Sequence, residues 1–255
     1  MDTATRFVFL MHPKEFKREK AGTGRLAHLC LRNSELAMGL AWDRHPHLSG
    51  LLQDPAYFPM LLYPGPAALD LSAAADRPEE GGPAAPADPE DRLTLAGLRR
   101  QLAGRRLAVL LLDGTWSGAR KMLKLSPGLQ RLPRLVLRPS APSRFVIKQQ
   151  PAAGCLSTLE AVHELMLQLE QAGLDRYPDA AQLLEVFGRM QAFQLRCAAD
   201  PARGGYRHRP YRAPEARRPA RAGSRRSRYA PLAGLTAPPR VPAGPGAAAP
   251  GRSAS

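Results

Sequence analysis

Cysteine is scarce. The chain has only Cys30, Cys155 and Cys197 in 255 residues, with no Cys-x-x-Cys pair. That excludes a disulfide scaffold and fits free thiols in a reducing compartment, so a cytoplasmic location is expected. His12, His28, Cys30, His45 and His47 do not follow structural zinc spacing, and no metal is expected. No apolar run reaches the length of a membrane span, so no membrane partner is expected. Residues 7–11 are too short for a signal-peptide core and lack a small-residue cleavage site. Neither a P-loop nor a Gly-x-Gly-x-x-Gly fingerprint occurs, which argues against a nucleotide-phosphate enzyme. Acidic side chains are few as well: 22 Asp and Glu face 37 Lys and Arg, for a net charge of +15. A polyanion is the favoured partner class, although part of this charge lies near the C-terminus.

A hydrophobic content of 44% supports one substantial core. Residues 7–11 and 108–112 are short, unbroken apolar runs, as expected for buried strands. Residues 60–63 and 132–137 read as further strands. Residues 12–24 read as a densely charged loop that closes on Gly22-Thr23-Gly24. Helices are expected over 25–31 (Leu26, Leu29 and Cys30 inward), 93–102, 117–124 and 180–195. Residues 35–42 read as a short helix or strand, 47–52 as a helical turn, and Pro127-Gly128 as a turn. Ser157-Thr158-Leu159-Glu160 fits a capping box, with Val162, Leu165, Met166 and Leu169 as the inward stripe of the helix that follows. Residues 138–154 form a long proline-bearing loop, of a kind a core domain rarely keeps without function. The folded domain is read as 6–197, with a mobile Ala/Pro/Glu-rich loop at about 72–92. The stretch 199–255 mixes Arg with Pro, Gly and Ala and reads as a disordered basic tail.

The strand at 108–112 delivers Asp113-Gly114-Thr115-Trp116 to its carboxyl end, where α/β proteins build their sites. A carboxylate, a glycine, a hydroxyl and a flat aromatic, followed by Arg120, Lys121 and Lys124, suit chemistry on a nucleobase.

Three segments together resemble the DTW-domain family. They are Met11-His12-Pro13-Lys14-Glu15 with Lys20 and residues 22–28, then Asp113-Gly114-Thr115-Trp116, then residues 155–161 (Cys-Leu-Ser-Thr-Leu-Glu-Ala). Asn33-Ser34-Glu35-Leu36 and Leu62-Tyr63-Pro64-Gly65 also follow that family's pattern. The resemblance runs from residue 7 to 195. It implies an α/β, SPOUT-like parallel-sheet fold with a C-terminal trefoil knot. It further implies an S-adenosylmethionine-dependent tRNA-uridine aminocarboxypropyltransferase. Such an enzyme moves the 3-amino-3-carboxypropyl group onto N3 of a uridine and releases methylthioadenosine. The same likeness admits an rRNA substrate or a SPOUT-type methyl transfer. A noncatalytic RNA-binding protein is the alternative of another class. Many members carry an N-terminal cysteine cluster, and none precedes the first strand here. Monomer and homodimer both stay open.

Asp113 is the candidate base for the uridine N3–H, the role the motif favours, with a helix N-cap as the compatible alternative. Trp116 stacks on a base or fills the core. Thr115 contacts substrate or its own helix start. The resemblance makes Cys155, Leu156, Ser157, Thr158 and Glu160 a cofactor-binding helix start, where sequence alone reads a plain capping box. Tyr63, Gly65 and Arg138 end two strands and join that set, or are ordinary turn residues. Lys14, Lys17, Arg18, Lys20, Arg25, Arg120, Lys121 and Lys124 track RNA phosphates or form a solvated face.

Overall fold

The computed structural model describes residues 1–18, 22–65, 67–72, 93–147 and 154–200. Lys20, nearly all of the 72–92 loop and residues 201–255 of the basic tail lie outside the described residues.

Among the described residues, six parallel strands form one sheet: β1 (Arg6–Met11), β2 (Ser34–Met38), β3 (Tyr57–Leu62), β4 (Leu69–Asp70), β5 (Arg106–Asp113) and β6 (Arg134–Val136). Their spatial order is β2-β1-β5-β3-β6-β4. Later strands therefore slot between earlier ones: β5 lies between β1 and β3, and β6 between β3 and β4.

The unbroken apolar runs follow from burial on both faces. Along β1, Phe7 and Phe9 point into one core while Val8 and Leu10 point into the other. Along β5, Leu107, Val109 and Leu111 alternate in the same way with Ala108 and Leu110. A side-chain period of two with no polar partner face is what a strand covered on both sides requires.

The first core is closed by α2 (Thr23–Cys30), α4 (Leu95–Gln101), α7 (Thr158–Gln171) and α8 (Ala180–Ala199). The expected α7 stripe is fully buried: Val162, Leu165, Met166 and Leu169 expose nothing. The second core is closed by α3 (Pro46–Gln53), α5 (Trp116–Lys124) and α6 (Pro127–Gln130).

Three local expectations change. The charged segment 12–24 is not all loop: α1 (Pro13–Arg18) begins on Pro13, whose fixed φ suits a first helical position. Leu29 on α2 is exposed, because the buried line of that helix is Gly24 and Ala27, continued by Leu31 just beyond it. Pro127-Gly128 opens the short helix α6 and is more than a turn.

Two histidines couple this packing to pH. His163 bonds Tyr177 Oη through Nδ1 at 2.9 Å. Burial lowers the pKa of His163 below its usual 6.5. Burial, then Arg25, does the same to His28. The unfolded chain therefore takes up protons more readily than the folded one. The stabilisation is complete above about pH 6.5 and is lost as pH falls through the lower folded values. Thermal melts should show a falling Tm on acidification from neutral pH. A His28→Asn/His163→Asn pair should flatten that slope.

Candidate active site

Parallel strands bring the ends of β1, β3, β5 and β6 out on one edge of the sheet. A pocket of about 170 Å³ opens there, between the ends of β3, β5 and β6 and the starts of α5 and α7. Leucines from three strands line it, with Trp116, Cys155, Leu156 and Thr158. Trp116 is half-buried and forms part of this wall, so it is not a core tryptophan.

Asp113 ends β5 and is only 6% exposed. It is not the cap of α5. Thr115 takes that role, with its exposed hydroxyl accepting from the Gly118 N–H at 3.1 Å. Instead the Asp113 carboxylate Oδ1 accepts from the Thr158 hydroxyl at 2.5 Å. The carboxylate is not itself part of the pocket wall, whereas Thr158 is.

Gly24 closes the other side of the carboxyl group. A Cβ there would lie 2.5 Å from Asp113 Cγ and 2.8 Å from Oδ1. The α2 helix has Gly22 at its N-cap, no side-chain cap and no acidic residue in its first turn. Asp113 brings a negative group to that helix start from another element, as the macrodipole favours.

Of the cofactor candidates, Tyr63, Cys155, Leu156 and Thr158 line the pocket. Gly65, Arg138, Ser157 and Glu160 do not. Arg138 pairs with Asp70. Ser157 and Glu160 form the expected capping box, in which the Ser157 hydroxyl accepts from the Glu160 N–H and Glu160 accepts from the Ser157 N–H at 2.9 Å. Replacing Ser157 by Ala should cost about 1 kcal/mol of stability, read from denaturant unfolding.

Glu160 also accepts from Ser143 Oγ at 2.8 Å and from the Arg144 N–H at 2.6 Å. One turn on, Glu164 accepts from Ser140 Oγ at 2.7 Å. Gln191 of α8 accepts from the Val146 N–H at 2.8 Å and donates to the Arg144 carbonyl at 3.2 Å. These three buried polar side chains hold the loop after β6, and the start of that stretch, Leu137 and Pro139, lines the pocket. Glu164 and Gln191 escaped the sequence reading. The available signal was their place among apolar stripes on helices otherwise buried there.

The cations divide into groups. Lys14 and Lys17 are exposed on α1, which also carries Arg18. Arg120, Lys121 and Lys124 are exposed on α5. Both helices leave the same sheet edge. His12 joins them: its N–H donates to the Asp113 carbonyl at 2.8 Å, and its ring would lie 3.3 Å from a Cβ on Gly118. His12 Nδ1 accepts from the Lys14 N–H at 3.1 Å, so the neutral ring carries its proton on Nε2. Arg25 lies over the Phe16 ring at 4.8 Å and donates to the Phe16 carbonyl at 3.3 Å, tying α1 to α2. Among the described residues, no group of three His, Cys, Asp or Glu could hold a metal ion, and no helix is long and apolar enough to cross a membrane.

Among the described residues the sheet is all parallel, with a pocket lined by Tyr63 and Trp116 and two basic helices at its carboxyl edge, which is where α/β folds carry their sites. The DTW domain matches residues 1–195, and the chain belongs to the DTW-domain family. It is similar to tRNA-uridine aminocarboxypropyltransferase 2 of Drosophila melanogaster, with 40% identity over 62 residues, 24% of this chain and 25% of that protein. It is likewise similar to the Mus musculus protein of the same name, with 42% identity over 64 residues, 25% of this chain and 21% of that protein. The aligned segments thus span a quarter or less of those relatives. No solved structure matches.

Proposed function

We propose that this chain is a cytoplasmic, S-adenosylmethionine-dependent tRNA-uridine aminocarboxypropyltransferase with a SPOUT-like fold. The observation that carries this reading is a buried carboxylate, at the end of the central strand, hydrogen-bonded to a threonine of the pocket wall in a DTW-domain chain. The names of the two relatives support the same substrate and reaction. Insertion of β6 between β3 and β4, strands joined by a short connection, supports the knotted SPOUT-like reading of the C-terminal part.

The residues present fit the donor. Apolar walls from Leu62, Leu135 and Leu137, with the half-buried Trp116, suit a purine-like ring. When bound, S-adenosylmethionine supplies a sulfonium-activated carbon, and its attack by the uridine N3 yields the aminocarboxypropyl-uridine and methylthioadenosine. Tyr63, Cys155 and Leu156 would hold the donor in the pocket, and Thr158 faces it with its hydroxyl on Asp113. The loop clamped by Glu160, Glu164 and Gln191 would keep water from that chamber. Asp113 takes up the N3 proton as the general base. Lys14, Lys17, Arg120, Lys121 and Lys124 would meet tRNA phosphates beside the site, and their contribution would fall as salt rises.

The test is nucleoside mass spectrometry of tRNA from cells with and without this protein. Loss of an aminocarboxypropyl-uridine peak with the protein absent is expected. A lost methyl-uridine peak would instead make the enzyme a methyltransferase. No change in any tRNA nucleoside would overturn the reading.

A further inference from the structure

We propose that Thr158 is a proton relay between the pocket and Asp113, and that this relay selects uridine over cytidine. The inference rests on the aminocarboxypropyl-transfer reading. Three observations lead to it. The Asp113 carboxylate is 6% exposed, lies against Gly24 and does not line the pocket. Thr158 does line it, and its hydroxyl meets Asp113 Oδ1 at 2.5 Å. An ionised carboxylate only accepts, so the hydroxyl proton points at Asp113.

A threonine hydroxyl has one proton and two lone pairs. With the proton committed to Asp113, Thr158 offers the pocket only acceptor lone pairs. The atom that meets it must donate. Uridine N3 carries a hydrogen and satisfies this. Cytidine N3 is itself an acceptor, and its lone pair would face lone pairs.

The step balances as follows. The N3 proton passes to Thr158 Oγ1 while the original Thr158 proton passes to Asp113 Oδ1. N3 uses the freed electron pair to bond the transferred carbon, and the C–S pair leaves with sulfur as a neutral thioether. Asp113, now a neutral acid, returns the proton to solvent by the same route after product leaves.

The experiment compares wild-type protein with T158V, T158S and D113N/T158V. It measures turnover on tRNA, donor affinity by titration calorimetry and Tm. Threonine and valine are nearly isosteric, so only the hydroxyl is removed. T158V is expected to lose about 100-fold in kcat, the range of one general-base contribution. Its donor Kd should stay at the wild-type value. T158S keeps the relay atom and should recover most of the lost turnover. The double variant should be no slower than D113N alone, because both substitutions break one path. Wild-type kcat in T158V, or a kcat loss matched by an equal loss of donor affinity, would overturn the relay. The second result would make Thr158 a donor anchor instead. If wild-type protein itself yields no aminocarboxypropyl-uridine, the underlying functional reading fails, which is a distinct result. Should T158V melt early, T158A assayed below its Tm gives the hydroxyl-free comparison, with turnover and donor Kd read together.

Discussion

D113N should lose about 10²- to 10⁴-fold in turnover while still binding tRNA, as expected for removal of a general base. Asparagine has the same shape, and its carbonyl oxygen can still accept from Thr158 where Oδ1 does now at 2.5 Å. What it cannot do is take a proton. The cations proposed to meet tRNA lie exposed on α1 and α5, apart from this buried group. Filter or gel-shift affinity should therefore stay near the wild-type value. Stability should fall only modestly, by about 0.3–2 kcal/mol, because a neutral amide replaces the charge at the start of α2. If activity survives D113N, the role given to the carboxylate is wrong, whatever the substrate.

The second large effect is expected from G24A. An added methyl would overlap the Asp113 carboxyl group, with Cγ at 2.5 Å and Oδ1 at 2.8 Å. Neither side yields easily. Asp113 is fixed by the last residue pair of the β1–β5 ladder, and α2 is seated by fully buried Ala27. Overpacking of this kind costs about 1–3 kcal/mol. The carboxyl group must then turn away from Thr158. A misplacement of about 1 Å can cost on the order of 100-fold in rate. G24A should thus fold, bind tRNA and turn over at least tenfold more slowly, by the same argument. Wild-type kcat in a folded G24A protein would show that the contact does not position Asp113. Comparing G24A with D113N separates misplacement from loss of the basic group: G24A should retain residual pH-dependent activity that D113N lacks.

Much of this was legible because it is local. Unbroken apolar runs at residues 7–11 and 107–112 announce strands buried on both faces, and both are interior strands of the sheet. Ser157 through Glu160 announce a capped helix start, which is present in full. The Asp-Gly-Thr-Trp turn announces a strand end beside a helix. Less legible was the division of labour within it. Local rules let Asp113 or Thr115 cap α5. The choice is decided from outside, since Thr158 and Gly24 hold Asp113 from positions 45 and 89 residues away in the chain. Glu164 and Gln191 were missed for the same reason, because their partners belong to a loop with no periodic pattern. Leu29 misled because a short amphipathic helix offers two plausible apolar lines, and packing on α7 and β1 selects the one through Ala27.

The most direct test of the central claim uses purified protein, unmodified tRNA and S-adenosylmethionine labelled separately in its methyl group and in its aminocarboxypropyl chain. Mass spectrometry of the digested tRNA and of the small-molecule products then reads which group moves. The account predicts chain label on a uridine, together with methyl-labelled methylthioadenosine. Methyl label on the tRNA, or label on neither nucleoside nor thioether, would contradict it.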